Sequence, residues 1–186
     1  MKKVLKSIFS GYSFRSKVEH DENGDVSVIQ MKDLHNEYQE IGSQMLRISG
    51  DSIPKKYLLE PGDVLFISKG ANNYALVFND KIKAVAASAF FVLRPNKKII
   101  VPEYLAWFIN QKETQRFIEE NRAGTYIPNV NKTTVEAIEI KLPTLDEQKI
   151  VAKMDFLQKR EYLLTIELLA KRKLLISNLL MQKIIK

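Results

Sequence analysis

The C-terminal segment constrains the fold more than any other feature of this sequence. All seven Gly and all six Pro lie at or before Pro143, so residues 144–186 contain neither of the two residues that most often break helices. A helix over this whole segment would form a rod of roughly 60 Å, whereas helices in globular proteins average about 11–12 residues. The sequence therefore predicts a helix that extends well beyond the domain before it.

The start of this helix is indicated by residues 144–154, TLDEQKIVAKM, which follow Pro143 directly. The Thr144 hydroxyl can accept a hydrogen bond from the Glu147 amide while the Glu147 carboxylate accepts one from the Thr144 amide, which is the reciprocal arrangement of a capping box. Negative charge on Asp146 and Glu147 is also favourable at the positive end of the helix dipole. We predict two parts, a domain over residues 1–143 and a long helix over residues 144–186.

Apolar residues along the predicted helix recur at alternating spacings of four and three, which is typical of a coiled-coil seam. The seam consists of Ile150, Met154, Leu157, Leu164, Leu168 and Leu175. A second apolar line in the distal half consists of Tyr162, Ile166, Leu169, Ile176 and Leu180. The distal half thus has more apolar surface than one helix pair requires, and we expect it to associate with other helices rather than with its own domain.

The first part of the chain combines strand and helix patterns. Runs rich in β-branched and aromatic residues, separated by turn-forming residues, predict strands at residues 26–30, 64–68, 74–78, 84–93 and 138–142. Residues 102–110 and 112–121 have helical periodicity, and Pro102 suits a first helical turn. The predicted fold class is α+β: one domain with short strands and helices, followed by one long C-terminal helix.

The sequence lacks the motifs of common enzyme classes: a phosphate-binding loop, a dinucleotide fingerprint, HExxH and GxSxG. His20 and His35 lie in polar stretches without metal-ligand spacing, and the alternating strand pattern around Glu139 and Lys141 explains their acid-x-Lys spacing. The absence of Cys excludes disulfides and thiolate metal sites, and it fits a cytoplasmic protein. We predict no catalytic residue and no metal site.

Two polar loops beside predicted strands contain groups suited to DNA. The first polar loop is residues 68–74, SKGANNY, and the second polar loop is residues 124–132, GTYIPNVNK. Asn can form paired hydrogen bonds with adenine, and Lys can bind guanine or phosphate. The net charge of +7 also favours an acidic partner. The alternative is that both loops are ordinary solvated turns, in which Asn and Gly are common.

The candidate DNA contacts fall into three groups. Those in the first polar loop are Lys69, Asn72, Asn73 and Tyr74. Those in the second polar loop are Thr125, Tyr126, Asn129, Asn131 and Lys132. Two further cations, which follow a turn at Gly11 and suit phosphate, are Arg15 and Lys17.

Seven short segments, taken in order, give the chain a resemblance to a known family. They are residues 8–14, 28–34, 59–70, 87–95, 100–105, 124–131 and 138–150. Their order and spacing, with a final P-x-L-x-E-Q before the long helix, resemble the specificity subunit of type I DNA restriction-modification systems over almost the whole chain.

The resemblance implies an architecture and a set of partners. In this family a subunit usually holds two target recognition domains, each followed by a long helix, and the two helices pack antiparallel as a spacer. This chain resembles one half of such a subunit, so a second copy or another half-subunit is the expected partner. Further partners are double-stranded DNA, modification subunits and the restriction subunit. The resemblance also implies a non-catalytic chain without cofactor, with S-adenosylmethionine and ATP on the partner subunits.

Two other functions remain open from the residues. A helical adaptor without a DNA site would show no salt-dependent binding to duplex DNA. An enzyme with an unrecognised motif would turn over DNA and S-adenosylmethionine without partner subunits.

Overall fold

The computed structural model describes residues 1–35, 40–51, 53–123 and 128–184, which form strands, helices and short 3-10 turns. The described strands are β1 (Leu5–Ser10), β2 (Val26–Ile29), β3 (Leu34–His35), β4 (Glu40–Ile41), β5 (Leu46–Ile48), β6 (Asp63–Ile67), β7 (Ala75–Phe78), β8 (Ala84–Ala86) and β9 (Phe90–Pro95). The helices are α1 (Pro102–Ile109), α2 (Lys112–Glu120), α3 (Lys132–Ala137) and α4 (Leu145–Ile184). The α+β prediction is confirmed.

The main sheet has the strand order β1-β9-β6-β7, with antiparallel pairing throughout. Strand β6 is buried along its whole length, so its side chains serve two cores in alternation. Val64 and Phe66 pack with the α1 residues Leu105 and Ile109. Leu65 and Ile67 belong to a second cluster on the other face of the sheet, which includes residues of β2 and β8. Burial on both faces explains the continuous apolar run that predicted this strand.

A smaller mixed sheet has the order β5-β2-β8, in which β2 pairs antiparallel with β5 and parallel with β8. The predicted strand over 84–93 is divided by a turn at residues 87–89 into β8 and β9, which belong to different sheets. The predicted strand at 138–142 is wrong, because no element covers these described residues. Their carbonyls bond elsewhere: the Met1 ammonium donates to Ile138, and the Tyr104 hydroxyl donates to Lys141.

A buried ion pair ties β6 to β9. The Arg94 guanidinium donates to both carboxylate oxygens of Asp63, at 2.9 and 2.8 Å, and also contacts Glu60 at 2.7 Å. Asp63 is almost fully buried. The hydrogen bonds to Asp63 raise the pKa of Arg94, so the guanidinium stays charged in this partly buried position.

Helix α4 begins with the hydrogen bonds of a capping box. The Thr144 amide donates to the Glu147 carboxylate at 2.8 Å, and the Glu147 amide donates to the Thr144 hydroxyl at 3.3 Å. One turn into the helix, the buried side chain of Gln148 accepts from the Val101 amide at 2.9 Å and donates to the carbonyls of Ile99 and Pro143. These bonds fix the start of the helix to the domain.

The helix runs beside the domain first and then leaves it. Up to Leu163 the less exposed side chains recur on one face, whereas every described residue from Leu164 onward is exposed. At 40 residues the helix is about 60 Å long. Within the described residues, no helix is both long enough and apolar enough to cross a membrane.

Candidate nucleic-acid interface

The topology of the main sheet collects several loops at one end. Because neighbouring strands are antiparallel, the ends of β1 and β6 lie beside the starts of β9 and β7. The segments 11–17, 68–74 and 87–89 therefore emerge at the same end of the sheet. We refer to these three segments, together with residues 122–123 and 128–132, as the loop edge.

The two polar loops lie side by side at the loop edge. The Gly70 amide donates to the Pro128 carbonyl at 2.9 Å, and the Val130 amide donates to the Ser68 carbonyl at 2.8 Å. These bonds place Lys69 directly opposite Asn129. Directly opposed residues project their side chains to the same face, and both side chains are exposed. Two of the predicted DNA contacts, distant in sequence, thus share one surface.

Asn129 also pairs with a third segment. Its amide donates to the Ala123 carbonyl at 2.8 Å, and the Ala123 amide donates back to the Asn129 carbonyl at 2.9 Å. Lys69, Asn129 and Ala123 therefore form a three-residue ladder across the loop edge. Gly70 has a φ of +105°, which side chains rarely adopt, so glycine is needed at this turn.

The turn between β8 and β9 connects the first polar loop to the segment after β1. Both the amide and the hydroxyl of Ser68 donate to the Ala89 carbonyl, at 2.8 and 2.9 Å. On the other side of the turn, the Tyr12 amide donates to the Ala86 carbonyl at 2.7 Å. A Cβ at Gly11 would lie 2.1 Å from the Ala87 carbonyl oxygen, so only glycine permits this approach. The loop edge is thus a continuous hydrogen-bonded surface.

Arg15 and Lys17 lie in the segment 11–17, which begins with the close contact between Gly11 and the Ala87 carbonyl. Their segment lines a cavity of about 570 Å³ together with Ile48, Ser49 and Ile53. Both cations are exposed, and Ser13, Ser16 and Ser49 are among the residues that line the same cavity. Cations beside hydroxyl donors suit phosphate oxygens.

Within the first polar loop the predicted residues have different environments. Lys69, Asn72 and Tyr74 are exposed. Asn73 is buried, and its side-chain amide donates to the Ile67 carbonyl at 3.0 Å. The Gln115 side chain donates to the Asn73 carbonyl at 3.0 Å. The buried side chain of Asn73 thus stabilises the backbone of the loop and does not face solvent, so Asn73 is not among the proposed DNA contacts.

The second polar loop is described only from residue 128 onward, and the predicted contacts Thr125 and Tyr126 lie outside the described residues. Asn131 is the N-cap of α3: its amide oxygen accepts from the Thr134 amide at 2.7 Å and from the Thr133 hydroxyl at 2.6 Å. Lys132 is exposed, with Glu136 at 3.8 Å. Among the described residues of this loop, Asn129 and Lys132 therefore remain candidate DNA contacts, whereas the side chain of Asn131, although exposed, caps α3.

Three residues that hold the first polar loop or contact its tip were missed by sequence reasoning. Ser68 and Gln115 hold the first polar loop in place, and Arg122 contacts its tip, with Nη1 3.4 Å from the Ala71 carbonyl. No local pattern in the sequence identifies them, because each acquires its role from a tertiary contact. Among the residues of the described ranges, no cluster of His, Asp or Glu is placed to hold a metal ion.

Helix α4 carries the second candidate surface. Its predicted seam residues are about half to two-thirds exposed, from Leu164 at 48% to Met154 at 66%. Gln148 marks the face of the helix that packs on the domain. At 100° per residue, Leu157 and Leu175 lie on the opposite face. The seam therefore faces away from the domain over the whole helix.

Comparisons with known proteins agree with this architecture. A family model described as "Type I restriction modification DNA specificity domain" matches residues 2–177. The chain is 30% identical over 99 residues to the type I restriction enzyme HindI specificity subunit of Haemophilus influenzae. It is 31% identical over 114 residues to the MjaVIII specificity subunit of Methanocaldococcus jannaschii. These alignments cover 50% and 61% of this chain but only 21% and 25% of the relatives.

Solved structures show the same fold. The HsdS subunit from Thermoanaerobacter tengcongensis superposes with a TM-score of 0.59 at 23% identity, over 74% of this chain and 37% of that one. The S subunit of a type I restriction-modification system from M. genitalium gives a TM-score of 0.53 at 15% identity, over 82% of this chain and 36% of that one. The family model covers nearly the whole chain, so this chain belongs to the type I restriction-modification DNA specificity family.

Proposed function

We propose that this chain is a half-length specificity subunit that reads one half of a split duplex DNA sequence and performs no catalysis itself. The observation that carries the proposal is the pairing of the two polar loops, which presents Lys69 and Asn129 on one exposed face of the loop edge. Asn72 and Lys132 add an amide and a cation nearby in sequence. Amides suit base edges and cations suit phosphates, so this surface has the groups that sequence readout requires.

The loop edge is also rigid enough for readout. Ser68, Asn73 and Gln115 use their side chains to hold the backbone of the first polar loop. Groups that are held in position before binding lose less conformational freedom when they bind, which favours affinity. The buried polar residues of this loop therefore support recognition without touching DNA.

A selection of bound duplexes from random DNA, followed by affinity measurements at several salt concentrations, tests the proposal. Replacing Asn72 or Asn129 by Ala should relax the preference at one base pair, at a cost of about 1–3 kcal/mol, if that Asn reads a base. Lys69→Ala should weaken all sequences alike and reduce the salt dependence.

The control is Lys98→Ala, which removes the same charge at the opposite end of the sheet, just after β9. If Lys69, Asn72 and Asn129 can all be replaced together without any change in sequence preference or affinity relative to this control, the loop edge does not read DNA.

We further propose that α4 pairs antiparallel with the α4 of a second copy or of another half-subunit. The exposed seam supports this pairing, because a contiguous exposed apolar surface on a protein marks a site of interaction with a partner. A pair of two identical copies has closed two-fold symmetry, which would make the recognised sequence palindromic, with two half-sites separated by a fixed spacer. Mass measurement in solution tests the pairing, and a monomer at micromolar concentration would count against it.

The distal half of α4 has a second apolar face that such a pair leaves uncovered. Ile166 and Leu180 continue the domain-facing side of the helix beyond the end of the domain, and both are exposed. In an antiparallel pair this side faces away from the sister helix. We propose that this second apolar face binds the modification subunits, which carry S-adenosylmethionine. ATP would be bound by the restriction subunit, and all of these partners would act in the cytoplasm. Co-purification tests this contact: Ile166→Glu should lose the modification subunit, whereas Thr165→Glu, which adds the same charge at an exposed position about 100° around the helix, should keep it.

A further inference from the structure

The Arg122 side chain is held at the loop edge by two contacts. One guanidinium nitrogen, Nη1, donates to the Ala71 carbonyl at 3.4 Å, which lies in the tip of the first polar loop. The other, Nη2, donates to the Glu119 carboxylate at 3.2 Å. Arg122 also directly precedes Ala123, whose backbone is paired with Asn129. The guanidinium is therefore positioned between the end of α2 and the tip of the loop.

The guanidinium retains capacity for a further ligand. Arginine has five N–H donors in a planar fork, and acceptors among the described residues engage only two of the nitrogens, Nη1 and Nη2, each once. The side chain is 27% exposed, so it is partly accessible to solvent. An arginine fork matches a phosphate in a two-point arrangement. A phosphate could thus bind while the contact to Ala71 is kept.

The counter-ion of Arg122 is weakly held. The Glu119 side chain is 68% exposed and lies one helical turn before Arg122. Exposed ion pairs of this spacing are worth little because both groups remain solvated. A phosphate that carries its own negative charge can therefore replace Glu119 at a small cost.

We propose that Arg122 binds a phosphate of the DNA backbone beside the first polar loop and thereby sets the position of that loop against the bases. The proposal rests on the proposed function, since it places Arg122 on the same DNA. Glu119 holds the guanidinium in the free protein, and the phosphate takes its place in the complex. The contact to Ala71 couples the phosphate to the loop, so Arg122 acts on sequence readout through the position of the loop tip.

The test is DNA binding by the full chain at 50 to 200 mM salt, with the selected duplex and a scrambled duplex. Loss of one phosphate contact in Arg122→Gln should reduce the slope of log affinity against log salt concentration by about 0.9. The ratio of wild-type affinity to variant affinity should therefore fall about three- to fourfold between 50 and 200 mM salt. Arg122→Lys should restore the slope but only part of the affinity, because it lacks the fork. Glu119→Gln should bind about two- to fivefold more tightly, because a carboxylate beside the phosphate is gone.

The matched control is Arg116→Gln, which removes the same charge from an exposed position on α2, on the side opposite the buried Thr114 and Ile118. If Arg122→Gln matches this control in slope and affinity, or if Glu119→Gln leaves binding unchanged, the assignment of Arg122 is overturned while DNA recognition by the loop edge stands. If the wild-type chain shows no salt-dependent binding to either duplex, the proposed function itself fails.

Discussion

The length of α4 should set the spacer between the two half-sites. Deleting residues 168–174 removes one heptad from the part of the helix in which every described residue is exposed, so no contact with the domain is lost. The deletion keeps Leu164 and moves Leu175 into the place of Leu168, which preserves the seam. Seven residues correspond to about 10.5 Å of helix, with a rotation of only about 20°.

In an antiparallel pair, the distance between the two domains falls by this same length. At 3.4 Å per base pair, the preferred spacer should become about three base pairs shorter. Duplication of the same seven residues should lengthen it by about three. Both variants and the wild type are compared by sequencing duplexes selected from random DNA, after their dimeric mass has been verified. An unchanged spacer in both variants would refute the idea that the helix is a ruler.

Three further predictions concern the joints that position the two surfaces. Gln148→Ala leaves the Val101 amide without its acceptor and should lower the free energy of unfolding by about 1–3 kcal/mol, measured by urea denaturation. Asp63→Asn breaks the ion pair with Arg94 and should cost about 3 kcal/mol in the same assay. This cost is at the low end for a buried pair, because the arginine keeps Glu60 as a partner. Thr144→Ala should cost about 1 kcal/mol, whereas Thr165→Ala, at an exposed position within α4, should change stability by about 0.5 kcal/mol at most. Hydrogen bonds from Thr144 lower the pKa of Glu147. The stabilisation by the cap is therefore present above the unfolded-state pKa of Glu147 and is lost as the pH falls through its folded-state pKa. The difference in stability between wild type and Thr144→Ala should shrink on acidification.

Features set by local interactions were predictable from the sequence. The start of α4 follows from Thr144 and Glu147, whose hydrogen bonds span three residues. Strand β6 follows from a run of apolar residues that is buried on both faces. Helices α1 and α2 follow from their periodicity and from Pro102 at the first turn.

Features set by tertiary contacts were not predictable in this way. The segment 138–142 alternates like a strand, but its carbonyls bond to Met1 and Tyr104 instead of a neighbouring strand. Asn73 resembles its exposed neighbour Asn72 in sequence, yet the structure buries it under the loop. The pairing of Lys69 with Asn129 joins segments that no local pattern connects. The arrangement of the two polar loops at the candidate interface therefore depends on the fold rather than on motifs.

The central claim is that this chain directs modification to a particular DNA sequence. The most direct measurement maps methylated adenines across random DNA treated with the modification subunits, with and without this chain. The account predicts methylation within one two-fold symmetric, split sequence, only when the chain is present, and loss of that pattern when Lys69, Asn72 and Asn129 are replaced. A methylation pattern that is the same with and without the chain would contradict it.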